Sequence, residues 1–498
     1  MPEPAPPFLA LDQGTTSTRA MLFSSDGEVV AVAQRELPAA FPAPGWVEHD
    51  PERIHADAEA VIRDCLATAG VAPAAIGGLG ITNQRETVVV WERATGRPIH
   101  PAIVWQDRRT AETCRRLQDE GHQDWVRERT GLLLDPYFSA TKIAWILDQV
   151  PGARAAAERG ELAAGTVDCW LTWRLTGGRV HATDASNASR TLLYDLVHGA
   201  WNEELCRFFD VPPALLPEVR DTVADYGAAE VAGLDGALAI RTLVGDQQSA
   251  AFGQACFAPG DVKATYGTGC FTVQNTGAEP VWSERMLLTT VLWRLDGATT
   301  YAIEGSSFNA GTAVQWLRDG LGLFDDAAET EELARHADPR QRVYLVPAFT
   351  GLGAPWWDPD ARAAIHGLTR EVGRPELVRA ALEAVCFQTR DLLEAAAADG
   401  APAPRELRVD GGMVRNDWLL QALADLLGLP VARPAVVETT ALGAARLAAL
   451  GAGYHEGLDA VAAAWRAERR AAPAMPEDER EERWAGWREA VRRTLTRR

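Results

Sequence analysis

FLALDQGTTSTRAMLF, residues 8–23, joins an apolar run that ends in an acid to a turn of small hydroxyl and glycine residues and then to a second apolar run. Apolar runs separated by such a turn predict a strand, a tight loop and a second strand. The loop offers backbone N–H groups and hydroxyls beside Asp12, which suits a phosphate chain that carries a metal ion. A polar loop between two strands is also found in ordinary hairpins, so the phosphate interpretation depends on the remaining sequence.

A second hairpin of the same kind is predicted near the middle of the chain. The turn cluster at 258–261 is the best candidate for a domain boundary. Directly after it, DVKATYGTGCFTVQN (261–275) again places a glycine-rich turn between two apolar runs. A chain of 498 residues is too long for one ordinary core. We therefore predict two related domains, residues 1–257 and 258–498.

Composition excludes several classes of protein. Hydrophobic content of 47% and charged content of 24% are those of a globular protein, and the net charge of −20 disfavours nucleic acid or an anionic membrane as partner. Seven scattered cysteines without a CxxC or CxxH pattern indicate neither a disulfide framework nor a zinc site. The N-terminus lacks signal-peptide character, and no apolar run approaches the roughly 20 residues of a membrane span. We predict a cytoplasmic protein without membrane insertion.

Polar residues follow two predicted strands in the first half of the chain. Arg85 and Glu86 come after the apolar run 76–81, and Asp246 follows the strand end of LVGDQQSAAF (243–252). In open α/β sheets, ligands bind beyond the carboxyl ends of the strands. These residues are therefore candidates for a binding site. Asp246 is also well placed to be the N-cap of the helix predicted after it.

Further glycine-bearing turns point to a nucleotide. A strand over Leu407–Asp410, a double glycine and a helix from Asn416 to a Gly428 C-cap offer free N–H groups to an anion. We also predict a helix over Gly305–Leu323, with small residues at its start. The sequence has neither a Walker-type lysine motif nor a GxGxxG motif. Four such turns without these motifs are typical of a nucleotide held between two domains, as in actin-like ATPases; they are residues 12–16, 267–269, 305–311 and 410–412.

Ten stretches between about residue 8 and residue 455 resemble the glycerol kinases of the FGGY carbohydrate kinases. The resemblance implies an α/β fold with two actin-like ATPase (ribonuclease H-like) domains facing a central cleft. It also implies ATP-dependent phosphorylation of glycerol to sn-glycerol 3-phosphate with Mg²⁺, and a homodimer or homotetramer. The stretches are LDQGTTSTRA, PGWVEHDP, GITNQRETVVVWE, AIVWQDRRTAE, DPYFSATK, TVDCWLTW, VGDQQSAAFGQ, TYGTGCF, VPAFTGLGAPWWDP and RVDGGMVRND.

The resemblance implies a polyol site mainly in the first domain. Two aromatic side chains would cover the C–H surface, while polar side chains would pair with hydroxyls whose unsatisfied burial costs about 1–3 kcal/mol each. Asp246 would be the catalytic base. Without the resemblance, burial tendency favours core positions for Trp105 and Phe271. The substrate-binding residues implied are Arg85, Glu86, Trp105, Tyr137, Asp246, Gln247 and Phe271.

The resemblance likewise implies a nucleotide site mainly in the second domain, with a phosphate loop in the first. Asp12 matches the acid associated with Mg²⁺, and Arg19 supplies the local positive charge that an acidic protein needs for phosphate. The ATP-binding residues implied are Thr15, Thr16, Ser17, Arg19, Thr268, Gly311, Gln315, Gly412 and Asn416.

Two other functions remain open at this stage. The first is an FGGY kinase for another small polyol, a ketose or a sugar acid, because pocket width cannot be inferred from sequence. The second is an actin-like ATPase module in which hydrolysis drives a conformational cycle. Acceptor dependence of ADP release distinguishes both from a glycerol kinase.

Overall fold

The computed structural model describes residues 5–496 and divides the chain into two compact units. The first unit contains the chain up to Ala255 together with residues 289–301 and 439–464. The second contains residues 256–288, 302–438 and the chain from Trp465 onward. Two segments that follow residue 258 in sequence therefore pack within the first unit.

The elements alternate between strands and helices along most of the chain. The strands are β1 Phe8–Gln13, β2 Ser17–Phe23, β3 Val29–Glu36, β4 Glu48–His49, β5 Gly78–Asn83, β6 Val88–Glu92, β7 Ala102–Ile103, β8 Leu162–Thr166, β9 Ala182–Asp184, β10 Tyr194–Asp195, β11 Ala200–Trp201, β12 Glu218–Arg220, β13 Ala228–Glu230, β14 Ala237–Gly245, β15 Val262–Tyr266, β16 Cys270–Gly277, β17 Leu288–Leu295, β18 Ala298–Ser307, β19 Tyr344–Val346, β20 Ala364–His366, β21 Leu407–Asp410, β22 Val431–Pro434 and β23 Ala467–Ala471.

The α-helices are α1 Pro51–Ala69, α2 Ala111–Asp119, α3 Gln123–Thr130, α4 Ser139–Gln149, α5 Ala153–Glu158, α6 Val167–Leu175, α7 Ala185–Ala188, α8 Glu203–Phe208, α9 Asp246–Gly253, α10 Gly311–Gln315, α11 Glu329–His336, α12 Arg374–Ala398, α13 Asp417–Leu427, α14 Thr439–Gly451, α15 Leu458–Ala463 and α16 Glu477–Thr494. Short 3₁₀ turns lie at Pro73–Ala75, Pro213–Leu215 and Gly412–Arg415, and a π-helical turn at Trp316–Gly320 extends α10.

The main sheet of the first unit runs in the order β13-β14-β5-β1-β2-β3. Strands β1, β2 and β3 form an antiparallel meander, and β5 and β14 add parallel to β1. Asp12 is opposite Thr82 and Gly245 is opposite Asn83, so the ends of three parallel strands meet at one edge. A sheet of mixed parallel and antiparallel strands with helices between them agrees with the α/β class predicted above. Its core packs the sheet against α1 and α6.

The second unit repeats this arrangement. Its sheet contains the order β18-β16-β15-β21-β22, extended by β23. Strands β15 and β16 are antiparallel, whereas β21 runs parallel to β15 and β22 parallel to β21. Its core packs the sheet against α12, α13 and α16. The predicted likeness of the two hairpins is therefore a likeness of two whole sheets.

The predicted helix over Gly305–Leu323 is wrong at its start. Residues 305–307 complete strand β18, and helix α10 begins at Gly311. Small residues there favoured a helix, but β18 pairs with β16 in the sheet, and Thr272 Oγ1 of β16 donates to Gly305 O at 3.2 Å. Strand pairing therefore decided the start of this segment. The predicted helix from Asn416 to Gly428 is confirmed, with Asn416 as N-cap and Gly428 in the left-handed conformation at the C-terminus.

Helix α14 packs against the first sheet through close backbone contacts. A Cβ on Gly443 would overlap the carbonyl oxygen of Ser249 in α9, and one on Gly253 would overlap that of Thr439. A Cβ on Gly80 of β5 would overlap the carbonyl of Ala444. Because these three positions are glycines, the backbone of α14 can lie in direct contact with the backbones of α9 and β5.

The C-terminal helix α16 is anchored by tryptophans. Trp484 and Trp487 are buried, and the ring of Trp487 stacks on Phe387 with 5.3 Å between centroids. Asp391 accepts hydrogen bonds from the indole nitrogens of Trp487 (2.9 Å) and Trp356 (3.3 Å). Within residues 5–496, no helix combines the length and apolar character needed to cross a bilayer.

The anchor at Asp391 predicts a pH-dependent stability. Burial raises its pKa from 3.8 to about 7, although the two indole N–H groups oppose the shift. The folded state therefore holds the proton more tightly than the unfolded state, so the contribution of Asp391 to stability falls as pH rises from about 3.8 to about 7. We expect the Tm of Asp391→Asn minus that of the parent to increase between pH 4.5 and 7.5 in thermal melts. A difference that stays constant over this range would contradict the prediction.

Candidate active site

The ends of β5 and β14 bring together two residues that are 161 positions apart. Arg85 Nε lies 3.3 Å from Asp246 Oδ1 and 3.8 Å from Glu86 Oε1. Arg85 and Glu86 are only 3% and 1% exposed, whereas Asp246 is partly exposed. A buried guanidinium thus lies between two carboxylates, one of which is open to a ligand.

Arg85 is held in place by its surroundings. Its Nη1 donates to Gln248 Oε1 at 3.3 Å. A Cβ on Gly245 would lie 2.8 Å from Arg85 Cδ. The aliphatic part of the Arg85 side chain therefore packs directly against Gly245, where a larger residue would displace it. Glu86 has φ 63°, a left-handed conformation that is costly for a residue with a side chain. Backbone strain of this kind concentrates at functional sites.

Two aromatic residues lie beside the phosphate loop. The rings of Trp105 and Tyr137 meet edge to face, with 5.6 Å between centroids and 78° between planes. Trp105 Nε1 donates to Thr15 Oγ1 at 2.8 Å, and its backbone N–H donates to Thr87 Oγ1. Trp105 is only partly buried, so the alternative of an ordinary core residue does not describe it. It connects the predicted polyol wall to the predicted phosphate loop.

Asp246 is the first residue of α9, and Gly245 is the N-cap. The alternative that Asp246 itself is the N-cap is therefore wrong, because the helix begins at Asp246, one residue earlier than a capping aspartate at this position requires. Its Oδ1 accepts from the backbone N–H of Gln247 at 2.7 Å. A carboxylate in the first turn also interacts favourably with the helix dipole.

The predicted phosphate loop of the first unit, residues 14–17, is held by hydrogen bonds. Gly14 N donates to Ser17 O at 2.9 Å, which closes the turn. Gly14 O accepts from the side-chain amides of Gln13 (2.7 Å) and Gln84 (3.1 Å). The side chains of Thr15, Thr16 and Ser17 all retain some exposure, so their hydroxyls can meet a ligand.

Asp12 and Arg19 face each other across the same hairpin. They are register partners in β1 and β2, and Arg19 Nε donates to Gln34 Oε1 at 3.0 Å. Among the described residues 5–496, no three His, Cys, Asp or Glu side chains cluster to hold a metal. A single carboxylate such as Asp12 suits Mg²⁺, which commonly binds one or two carboxylates together with nucleotide phosphates and water. The donor set fits a metal that arrives with a nucleotide.

In the second unit, three of the predicted turns come together. Thr268 O accepts from the N–H groups of Ala310 (3.0 Å) and Thr312 (3.2 Å), and Gly311 N donates to Gly267 O at 3.0 Å. A Cβ on Gly311 would lie 2.6 Å from Gly267 O. Gly411, at φ 93°, packs so closely on Tyr266 that a Cβ would overlap its carbonyl oxygen. The glycines let three loops converge beside β15.

The other residues predicted for the nucleotide lie near these loops, with different degrees of exposure. Gln315 and Gly412 are exposed, whereas Asn416 caps α13 by accepting from Leu419 N at 2.9 Å. The Asn416 side chain therefore stabilises the N-terminus of α13, and its contact with nucleotide stays a prediction. Phe271 lies on β16 in the second unit and is partly exposed.

Two buried cations of the first unit were missed by sequence reasoning. Arg190 Nε donates to Glu86 Oε1 at 2.7 Å. Lys142 Nζ donates to the carbonyls of Pro136 (3.1 Å) and Tyr137 (2.5 Å), and burial lowers its pKa to about 8. Arg190 binds the side chain of Glu86, and Lys142 binds the backbone carbonyl of Tyr137. Glu86 and Tyr137 are both predicted polyol residues. Lys142 ends the quoted stretch DPYFSATK, but neither cation was singled out from the sequence, because their partners are distant in the chain or are backbone atoms.

Comparison with known proteins places this geometry in a family. The FGGY family of carbohydrate kinases matches over residues 8–253 with its N-terminal domain and over residues 262–452 with its C-terminal domain. The chain belongs to the FGGY family of carbohydrate kinases. As an FGGY kinase it is an α/β enzyme of two domains, which confirms the fold class predicted from the sequence.

Full-length relatives of this FGGY kinase are known. It is 59% identical over 487 residues to a glycerol kinase of Methylobacterium nodulans, covering 97% of each chain. It is also 59% identical over 486 residues to glycerol kinase 1 of Pseudomonas aeruginosa, covering 98% of each. A crystal structure of Plasmodium falciparum glycerol kinase with ADP superposes with a TM-score of 0.93 at 34% identity, covering 99% of each chain.

Proposed function

We propose that this FGGY kinase is a glycerol kinase, which transfers the γ-phosphoryl group of ATP to glycerol and forms sn-glycerol 3-phosphate and ADP. The observation that carries the proposal is the contact of buried Arg85 with Asp246 beside Glu86. Together these side chains offer one cation and two carboxylates to the hydroxyls of a small triol. The high identity to glycerol kinases over nearly the whole chain supports the same substrate.

Asp246 is the proposed base in this reaction. A carboxylic acid has a pKa of about 3.9, and an alcohol is roughly as weak an acid as water, near 15.7, so full deprotonation before attack is too far uphill. The proton therefore moves late, while the phosphorus–oxygen bond forms. Phosphoryl transfer permits this because its transition state is loose and catalysis consists mainly of alignment and charge neutralisation. The contact with Arg85 keeps the Asp246 carboxylate oriented.

The remaining site residues divide between the two domains. In the first, Thr15, Thr16 and Ser17 bind phosphate, Arg19 meets its charge, and Asp12 associates with Mg²⁺. When bound, Mg²⁺ would neutralise charge on the phosphates. In the second, the converging loops bind the nucleotide. Cytoplasmic location and assembly into a dimer or tetramer stay predictions. The proposed nucleotide residues of the second domain are Thr268, Gly311, Gln315, Gly412 and Asn416.

The polyol residues form one wall in the first domain. Trp105 and Tyr137 cover the C–H surface of the triol, and Gln247 adds an amide beside Asp246. Phe271 of the second domain is proposed as a further apolar contact.

The test is ADP release by the purified protein with ATP and Mg²⁺. The acceptors are glycerol, dihydroxyacetone, erythritol and xylulose, with a reaction lacking any acceptor as control. We expect strong acceptor dependence with glycerol as the best substrate. A higher kcat/KM with another acceptor would make the protein an FGGY kinase for that compound. Equal ADP release without acceptor would favour an ATPase module.

Substitution of Arg85 by alanine tests the polyol site directly. The guanidinium is buried against Asp246 and Glu86, so its removal leaves two carboxylates close together without their cation. We expect the KM for glycerol to rise by about 10- to 100-fold, equivalent to roughly 1.4–2.8 kcal/mol of lost binding. The KM for ATP should change much less. Equal increases in both constants, measured from initial rates, would mean that Arg85 does not contact the triol.

A further inference from the structure

A buried polar segment, Asp184–Arg190, lies behind the predicted polyol site. Its sequence is DASNASR, and the side chains of Asp184, Ser186, Asn187 and Arg190 are fully buried. Asp184 caps the short helix α7 and accepts five hydrogen bonds of 2.8–3.0 Å. Their donors are Ser186 N, Ser186 Oγ, Asn187 N, Asn187 Nδ2 and Thr222 Oγ1. This network fixes the segment as one rigid piece.

Ser186 and Asn187 bind the ends of the two strands that carry the site. Ser186 Oγ accepts from the backbone N–H of Gly245 at 3.0 Å, and Gly245 directly precedes Asp246. The side-chain amides of Asn187 and Asn83 hydrogen-bond reciprocally, at 3.0 and 3.2 Å. Asn83 ends β5, two residues before Arg85. The segment therefore holds the end of β14 and the end of β5 together.

Arg190 binds the site residues themselves. Its Nε donates to Glu86 Oε1 at 2.7 Å, and its guanidinium lies 5.7 Å from the ring centroid of Tyr137. Ser139 Oγ donates to Glu86 O at 3.1 Å. These contacts hold Glu86 in its left-handed backbone conformation. One arginine thus sets the position of an acid and an aromatic ring that are distant in sequence.

We propose that Ser186, Asn187 and Arg190 are positioning residues, which set the separation of Glu86 and Asp246 and thereby the orientation of the acceptor hydroxyl. This inference rests on the proposed function. A buried ion pair adds little net stability compared with apolar packing, so stability alone does not explain Arg190 paired with Glu86. Phosphoryl transfer depends on alignment, and small displacements of the reacting groups are costly.

The experiment compares Ser186→Ala and Arg190→Gln with two matched controls. Ser283 is a buried serine of the second unit whose hydroxyl donates to Asp399 and accepts from Leu287 N. Arg294 is a partly buried arginine of the first unit that binds Asp221 at 2.6 Å. Ser283→Ala and Arg294→Gln therefore remove similar interactions from side chains whose own partners are not predicted site residues: Asp399 and Leu287 N for Ser283, and Asp221, Gly199 O and Val219 O for Arg294. The readouts are Tm, kcat and the separate KM values for glycerol and ATP.

We expect Ser186→Ala to lower kcat by about 10- to 100-fold, because the N–H of Gly245 loses its acceptor and Asp246 shifts. We expect Arg190→Gln to raise the KM for glycerol by a similar factor, with the KM for ATP within about twofold of the parent. Arg190→Lys should raise it less, because one ammonium group reaches Glu86 but cannot also lie over the Tyr137 ring. The controls should lower Tm without changing kcat or either KM.

Parental kcat and KM values for Ser186→Ala and Arg190→Gln, with Tm lowered as in the controls, would overturn the inference and leave the proposed function intact. If Arg190→Gln does not yield folded protein, a parental KM for Arg190→Lys overturns the role of Arg190. A parent that prefers another acceptor would overturn the glycerol assignment instead, and the variants are then compared with that acceptor. A parent that releases ADP equally without acceptor overturns both proposals.

Discussion

Asp246→Asn is expected to lower kcat by about 10²- to 10⁴-fold, the range that a positioned general base contributes. The amide has nearly the shape of the carboxylate and can still accept from Gln247 N, so α9 should begin at the same residue. It cannot take up the proton of the attacking hydroxyl. Because the phosphate loop and the second unit are untouched, the KM for ATP should stay near the parental value.

Steady-state ADP release measures this effect, and a thermal melt shows whether the variant is folded. Asp221→Asn serves as control, since the Asp221 carboxylate binds Arg294 and the backbone N–H of Gly297, neither of which is a predicted site residue. Its kcat should equal that of the parent. An Asp246→Asn enzyme with parental kcat would exclude Asp246 as the base, whatever the acceptor.

Gly443→Ala is expected to destabilise the protein by about 1–3 kcal/mol or more, because the added Cβ would overlap the carbonyl oxygen of Ser249. The contact is between two backbones, so neither side can relieve it by rotating a side chain. Helices α9 and α14 must separate, which also breaks the hydrogen bond from Ser249 Oγ to Thr440 O. The expected fall in Tm is roughly 1–5 °C, since the entropy of unfolding is about 2.1 cal/mol/K per residue for a chain of this size.

This substitution should also lower kcat, because α9 begins with Asp246. The matched control is Gly457→Ala in the same unit, where a Cβ meets nothing within 4 Å and the backbone is extended at φ 160°. Thermal melts and initial rates of the two variants distinguish steric overlap from a general effect of replacing glycine. Gly443→Ala with the Tm and kcat of the control would show that α14 does not support the position of α9.

Much of the fold could be predicted because it depends on local patterns. The hairpins at 8–23 and 261–275 combine apolar runs with turn residues, and each formed the predicted pair of strands. Helix α13 has an N-cap asparagine and a C-terminal glycine, which fix its ends without help from the rest of the chain. In such segments, neighbouring residues supply most of the interactions that determine the structure.

The start of the Gly305–Leu323 helix was predicted wrongly because local composition and strand pairing disagree there. Small residues are compatible with a helix, but residues 305–307 extend β18, which pairs with β16 in the sheet. The packing of α14 against α9 was equally beyond prediction. The sequence contains Gly443 and Gly253, yet nothing near them in the chain shows which backbone each will contact.

The sequence by itself determined the chemical character of this protein. It marked an acid beside a phosphate-type loop at Asp12, an arginine and an acid at a strand end, and Asp246 at the start of a helix. It also carried the resemblance to FGGY kinases, because those motifs are contiguous. Each of these features lies within a few residues of chain and could therefore be identified without coordinates.

Only the tertiary structure decided which of these groups meet and what holds them. Arg85 reaches Asp246 because β5 and β14 are parallel neighbours in the sheet. Arg190 reaches Glu86 across 104 positions of the chain, and Ser186 reaches Gly245 across 59. Such contacts arise from the pairing of distant strands and the burial of polar groups that must then find partners. No local sequence pattern encodes these contacts. The residues that hold Glu86 and Asp246 in position can therefore be identified only from the folded structure.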